Sequence, residues 1–239
     1  MEFKKVMVLI PTYNEKDTIQ SIINQIFSQN PYFFVTIIDD NSSDGTGQIA
    51  EGLKEVFKNL HAIHRKGKLG LGTAYIEGFR YALAQGMDFV IQMDADFSHD
   101  PKYLKDFLNE TDNYDVLIGS RYVNGVRVDN WPFKRLLLSK FANIYVKLVT
   151  GMPLEDATSG FKCIKIEAIK ALNLNKIMSN GYAFQIEVVF KLFRKGFKIK
   201  ELPIVFYERE QGRSKMSKRI VFEAVWKVFW LKFSSFFIK

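Results

Sequence analysis

The sequence predicts an α/β protein built on a mostly parallel sheet. Three observations carry that reading. Short β-branched and apolar runs such as KVMVLI and FFVTIIDD alternate with amphipathic helical stretches through the first half, the rhythm of βαβ units. Polar and acidic clusters stand where several of those runs end, as in PTYNE, DDNSSDGT and MDADFSHDP. The chain has 239 residues, 47% of them hydrophobic, enough to bury one substantial core.

KVMVLI reads as the first strand. EKDTIQSIINQIFSQN follows as a helix with Ile19, Ile22, Ile23, Ile26 and Phe27 on one face. FFVTIIDD is the second strand, and SSDGTGQIAEGLKEVF starts a second helix at a Ser/Asp cap. LHAIH is a short strand. LGTAYIEGFRYALAQG is a third helix that Gly86 closes, and DFVIQM and YDVLIGSRY are further strands. After residue 121 the rhythm changes: NGVRVDNWPFKRLLLSKFANIYVKLVTG is a loop entering a basic amphipathic helix, and GFKCIKI, AFQIEVVFKLFRKG and FKIKELPIVFYERE give strand, helix and strand. No linker rich in Pro, Gly or Ser divides the chain, and no internal repeat is evident. Residues 1–215 therefore read as one domain, with residues 216–239 as an amphipathic appendage.

Composition excludes several functions. The formal charge is +8, of which +6 falls in residues 198–239, so basic character belongs to the C-terminal part and suits a membrane surface or phosphate groups. No RNA-binding signature, zinc-finger spacing or recognition-helix pattern supports nucleic acid. Cys163 is the sole cysteine, which rules out an intrachain disulfide and leaves a Cys-based zinc site without ligands. The apolar run at the N-terminus is shorter than a secretory leader and lacks its cleavage site, so the chain reads as cytosolic. The tail carries Arg219, Glu223, Lys227 and Lys232, and its uncharged runs fall short of the ~20 residues that span a bilayer. Its Phe/Trp/Val face suits a membrane surface, a partner or its own domain.

MDADFSHDP has two readings. Ser98 or Asp100 before Pro101 reads as a helix start, while Asp94 and Asp96, two like charges around Ala95 at a strand end, call for a counter-charge such as a hard divalent ion. In an open α/β sheet ligands bind at the carboxyl ends of strands, which would bring Pro11, Tyr13, Glu15, Asp39, Asp40 and the Asp94/Asp96 pair to one crevice. A dinucleotide site would want G-x-G-x-x-G after the first strand, and PTYNEK has no glycine. Gly67, Gly70 and Gly72 in KGKLGLGTA precede a helix and suit an anion there, but the spacing is not that of a P-loop.

VLIPTYNE, IIDDNSSDGT, KLGLGTAYIEGF, MDADFSHDP, GSRY, ATSGFK, YAFQIEV and YEREQGRSKM occur in this order. Together they resemble the family-2 glycosyltransferases of the GT-A fold and, within them, the dolichyl-phosphate (polyprenol-phosphate) mannose synthases, over roughly residues 5–220. The resemblance implies that Asp94 and Asp96 meet Mg²⁺ or Mn²⁺ on the donor diphosphate, with Ser98 standing where some members carry a Gln ligand. It implies that Pro11, Tyr13, Glu15, Ile38 and Asp40 hold the nucleoside and that Ala95 and Arg121 line the donor site. Arg209 and Lys215 match the family's basic pair on the diphosphate. Arg121, Arg135 and Ser139 are the candidates for the acceptor phosphate; on charge pattern alone, Lys134, Arg135 and Lys140 read equally well as a solvated helix face.

The chemistry needs these residue types. A departing nucleoside diphosphate is stabilised by a divalent cation and by Arg or Lys. A lipid phosphate has its second pKa near about 6, so it is an anion at neutral pH and needs no general base. The expected reaction is inverting transfer of mannose from GDP-mannose to dolichyl or polyprenyl phosphate, by a peripheral protein on the cytoplasmic face of a membrane, docked through its tail or a small membrane protein subunit. The same chemistry with UDP-glucose or another hexose donor, or a non-catalytic scaffold, are the alternatives.

Overall fold

A computed structural model describes residues 4–129, 131–177, 179–207 and 218–234. Strands β1 (Val6–Thr12), β2 (Phe34–Asp39), β3 (Leu60–His64) and β4 (Phe89–Gln92) alternate with helices α1 (Lys16–Gln29), α2 (Thr46–Leu53) and α3 (Leu71–Ala84). There follow α4 (Leu104–Glu110), β5 (Val116–Ser120), α5 (Phe133–Thr150), β6 (Lys162–Lys165), α6 (Ile166–Ala171), α7 (Gly181–Arg194), β7 (Ile199–Pro203) and α8 (Lys218–Ser234). The strands form one seven-stranded sheet in the order β3-β2-β1-β4-β6-β5-β7.

β1 lies between β2 and β4, parallel to both. The chain winds outward from β1 to β2 and β3 and then returns to β1's other side as β4, so the strand order reverses there and leaves a crevice at the carboxyl ends. β6 runs antiparallel to both β4 and β5. Its sequence, GFKCIKI, predicts a strand without revealing its direction, because direction is set by the path of the connection and not by side-chain pattern. The predicted helix faces are the ones buried: Ile19, Ile22, Ile23, Ile26 and Phe27 of α1 pack into the core.

Two details depart from the sequence reading. α2 ends at Leu53, before Phe57, and its N-cap is Gly45. Asp44 acts one residue earlier, its carboxylate accepting from the Thr46 N–H at 3.0 Å and the Thr46 hydroxyl at 2.6 Å. Gly86 follows α3 with φ +64°, as expected of a residue closing a helix.

Two apolar cores face the sheet from opposite sides. One gathers residues of α3, α6 and α7 and includes Val228 of α8; the other gathers those of α1 and α4. α8 packs on α5 and α7: Val228 is buried, and the Tyr145 hydroxyl donates to the Val225 carbonyl at 2.9 Å. Its other face stays open, with Trp226, Phe229, Trp230 and Phe233 exposed. Among the described residues no helix is long and apolar enough to cross a membrane.

Candidate active site

Parallel pairing of β1 with β2 sets Pro11 beside Ile38 and Thr12 beside Asp39. The loops beyond are stitched by short polar side chains. Asp39 accepts from the Thr12 hydroxyl at 2.9 Å and from the Ser42 hydroxyl and N–H at 2.5 and 3.0 Å. The Asn14 N–H donates to Ser42, the Ser43 N–H to Asn14, and the Glu15 N–H to Thr46. Asn14 and Asn41, at φ 59° and 60°, supply the left-handed turns that Asn tolerates better than most residues. Tyr13 and Glu15 are thereby held at the crevice, where Lys68 lies over the Tyr13 ring at 3.7 Å. The Ile38 and Ala95 side chains are buried, so what they offer a ligand is main chain.

Asp40 forms a buried ion pair with Arg65 and accepts from the Gly70 N–H at 3.3 Å. Arg65 also donates to Thr73 at 2.6 Å and pairs with Glu77 at 3.1 Å, tying β2's end to the glycine loop and to α3. Sequence reasoning did not single out Arg65; its only signal is its place directly after β3, where a crevice residue would stand.

The structure bears out the helix-start reading of MDADFSHDP. Asp100 caps the 3₁₀ turn that Pro101 starts, accepting from the Lys102 N–H at 2.9 Å. Asp94 and Asp96 take no part in that cap. The Asp94 side chain is partly exposed, and Asp96 is fixed by Ser98, whose N–H and hydroxyl donate to its Oδ1 at 3.1 and 2.6 Å. Ser98 thus orients a carboxylate. His99 lies beneath the turn: its Nδ1 accepts from the Asp94 N–H at 3.0 Å. It is 1% exposed, and burial, then the Arg121 and Lys162 charges, push its pKa down to about 3.

Arg121 extends from the end of β5 into a buried bidentate pair with Asp156, at 2.7 and 2.6 Å, and also donates to Thr158 at 2.7 Å. Burial pushes the Asp156 carboxyl up, but the Arg121 charge and hydrogen bonds outweigh it and hold it below the usual carboxylate range. Glu201 of β7 accepts the Glu155 and Asp156 N–H groups at 2.7 and 2.8 Å, and burial raises its own pKa. Asp156 and Glu201 are missed by sequence reasoning because their partners lie 35 and 45 residues away. Nearby, the fully buried Lys162 ammonium donates to the Ser159 carbonyl and, at 2.7 Å, to Gln185, and burial lowers its pKa to about 7.

Arg121, Arg135 and Ser139 line one cavity of about 410 Å³ between α5, α7 and α8, whose remaining wall is largely apolar and includes Leu138, Phe141, Val225 and Val228. The Arg135 guanidinium stacks over Trp131 at 4.1 Å. Thr158 belongs to the cavity wall, and Gly160, two residues on, abuts Asp94. The three candidate acceptor residues therefore come together in one cavity. Arg209 and Lys215 lie outside the described residues.

The family model for glycosyl transferase family 2 matches residues 7–172. The chain is 40% identical over 227 residues to polyprenol monophosphomannose synthase of Mycolicibacterium smegmatis, covering 94% of this chain and 86% of that protein. It is 40% identical over 221 residues to undecaprenyl-phosphate mannosyltransferase of Micrococcus luteus, covering 92% and 91%. Among solved structures, glucosyl-3-phosphoglycerate synthase from Mycobacterium tuberculosis, in a complex with Mn²⁺, UDP and phosphoglyceric acid, superposes with a TM-score of 0.69 at 16% identity over 97% of this chain and 78% of that one. That likeness identifies the fold as GT-A. The family match over most of the sheet and the two relatives along nearly the whole chain agree: this protein belongs to glycosyl transferase family 2.

Proposed function

We propose that this glycosyltransferase transfers mannose from GDP-mannose to the phosphate of a polyprenol or dolichol, with inversion at the anomeric carbon. The observation that carries the proposal is the cavity between α5, α7 and α8: two arginines and a serine in a largely apolar wall, a shape and polarity suited to an amphiphile with an anionic head. Both 40%-identical relatives are named for mannosyl transfer to such lipids.

The donor would lie along the strand ends, its nucleoside against Pro11, Tyr13, Glu15, the Ile38 main chain and Asp40. Asp94 and Asp96 fit a divalent ion. They are hard oxygen donors one residue apart, and among the described residues no third His, Cys, Asp or Glu completes a cage around them. Such a pair suits Mg²⁺ or Mn²⁺ that takes its other ligands from a bound diphosphate and water. Bound there, the ion would neutralise charge developing on the leaving diphosphate. Ser98 fixes the Asp96 carboxylate for that role, Ala95 supplies the main chain between the two, and Arg209 and Lys215, by the family resemblance, would be the cations on the diphosphate.

The acceptor phosphate would sit on Arg121, Arg135 and Ser139. One of its oxygens attacks the anomeric carbon as the bond to the diphosphate breaks, and the nucleoside diphosphate leaves. With a second pKa near about 6, the phosphate arrives as an anion. The site's own groups agree with chemistry that needs no base: Asp156 is committed to Arg121, and the His99 Nδ1 lone pair is committed to a main-chain N–H.

The lipid has to be met at its bilayer. Beside the cavity, Phe133, Phe141 and Leu148 of α5 and Trp226 and Trp230 of α8 are all more than half exposed. They offer an apolar platform for peripheral docking at the cytoplasmic face, or for a small membrane subunit, and Lys227 and Lys232 add charge that suits anionic headgroups.

A donor panel tests the reading: purified protein, Mn²⁺, a short polyprenyl phosphate, and GDP-mannose, UDP-glucose or UDP-galactose. Mannosyl-phosphoryl-polyprenol from GDP-mannose at a rate at least tenfold above the other donors is expected. Preference for a UDP-sugar would overturn the donor assignment, and transfer to free polyprenol as fast as to its phosphate would overturn the acceptor assignment.

A further inference from the structure

The Asp94 main chain has an unusual support. Its N–H donates to the imidazole Nδ1 of His99 at 3.0 Å, not to a neighbouring strand. The ring is held on both sides. It stacks on Phe161 with centroids 4.9 Å apart and planes 12° from parallel, and it meets the edge of Phe206 at 5.6 Å. Phe161 itself is fully buried against Phe107 of α4. The ring that supports the turn is therefore itself held by residues outside it: Phe161 before β6, Phe206 after β7 and, behind Phe161, Phe107 of α4.

Gly160 makes room for the ring. A Cβ at that position would stand 3.3 Å from His99 Cε1, 3.7 Å from Gln185 Nε2 and 3.8 Å from Asp94 Oδ2. Gln185 is held from behind by the Lys162 ammonium. His99, Gly160 and Gln185 thus form a packed floor under the Asp94 carboxylate.

We propose that His99 is a positioning residue of the metal motif: by accepting the Asp94 N–H it sets the direction in which the Asp94 carboxylate leaves the end of β4. The proposal rests on the reading of Asp94 and Asp96 as ligands of a divalent ion. A buried N–H that loses its acceptor takes another conformation or stays unpaired. Either outcome moves or loosens a carboxylate whose coordination depends on placement within about 0.5 Å.

Three variants separate acceptor, shape and space. His99→Phe keeps a ring for the Phe161 stack and removes the acceptor. His99→Asn keeps a short acceptor and removes the stack. Gly160→Ala leaves every hydrogen-bonding group in place and brings a methyl group to 3.3 Å from the His99 ring, which must shift by a few tenths of an ångström to admit it. Mn²⁺ binding in the presence of GDP, followed by loss of the free-ion paramagnetic resonance signal, is the readout, with thermal melting as the control for folding and Asp94→Asn as the control for the ligand reading. His99→Phe is expected to weaken Mn²⁺ about tenfold or more, His99→Asn to stay within about threefold of the parent, and Gly160→Ala to weaken Mn²⁺ severalfold.

A folded His99→Phe protein that binds Mn²⁺ like the parent overturns the proposal, as does His99→Asn weakened as much as His99→Phe. If His99→Phe does not fold, Gly160→Ala decides: parental Mn²⁺ affinity in that variant overturns the positioning role, and weakened affinity supports it. A parent that binds no Mn²⁺ with GDP or UDP, or binds it undiminished in Asp94→Asn, overturns the metal reading itself and the proposal with it.

Discussion

Among the described residues two buried Arg–Asp pairs stand at the candidate site, one in each of its proposed halves, and they are placed differently. Arg65–Asp40, in the donor half, is enclosed by its own neighbours: Thr73, Glu77 and the Gly70 loop take up the rest of the guanidinium and carboxylate. Arg121–Asp156, in the acceptor half, is equally buried, but its arginine borders a cavity walled by Trp131, Arg135 and apolar side chains of α5 and α8. The first pair fixes a wall. The second keeps a cation in place beside a void. A buried charge without a close match is strongly unfavourable, so each arginine is fixed by its aspartate: Asp156, its main chain held by Glu201, keeps the Arg121 guanidinium at the cavity wall where the proposed acceptor would meet it, and Asp40 ties Arg65 into the wall of the proposed donor crevice.

Breaking each half in turn sharpens the contrast. The largest effect is expected at the point that both halves share. Asp96→Asn should reduce transfer on the order of 10³-fold with melting unchanged, and EDTA should reproduce it in the parent; full activity in EDTA would contradict the metal role. Asp156→Asn should come next. It strands the buried Arg121 charge, so it should lower unfolding free energy by about 3–5 kcal/mol in urea titration and abolish lipid acceptor binding. Arg135→Ala, which removes the guanidinium stacked over Trp131 in the cavity wall, should raise the acceptor KM by about 10-fold with the donor KM unchanged. Arg65→Met should do the reverse, raising the donor KM severalfold and sparing the acceptor KM; an equal rise in both would erase the distinction between the halves. The smallest effect on chemistry is expected from Trp226→Ser with Trp230→Ser. These exposed side chains should be needed for salt-sensitive binding to anionic liposomes and for transfer to long lipids, while transfer to a short polyprenyl phosphate persists.

The donor half was the more legible in the sequence. Its strands, helices and strand-end residues follow local pattern, and convergence of PTYNE, DDNSSDGT and MDAD on one crevice follows from the βαβ rule. What escaped there was the support: Arg65 and His99 act through partners that periodicity does not reveal. In the acceptor half, α5 and α8 were legible as amphipathic, and Arg135 and Ser139 as one helical turn apart on α5. That α8 closes the cavity with Val225 and Val228 was not, since only the folded path brings residues 225–228 against residues 138–146. The antiparallel β6, which begins at Lys162 just after Gly160 and so brings both near Asp94, was hidden for the same reason. The placement of α8 also makes the Trp226/Trp230 surface variant a sharper probe than deletion of the tail, because removing Val228 would open the core.

The central claim is that one cavity receives both the charged head and the apolar chain of the acceptor. Trp131 lines it, and the protein has three tryptophans, so a background with Trp226→Phe and Trp230→Phe makes Trp131 the single reporter. Titration with farnesyl phosphate should give a saturable fluorescence change, with farnesol and inorganic phosphate each binding at least tenfold more weakly and Arg135→Ala weakening farnesyl phosphate alone. Equal binding of farnesol and farnesyl phosphate, or indifference to Arg135→Ala, would contradict the account.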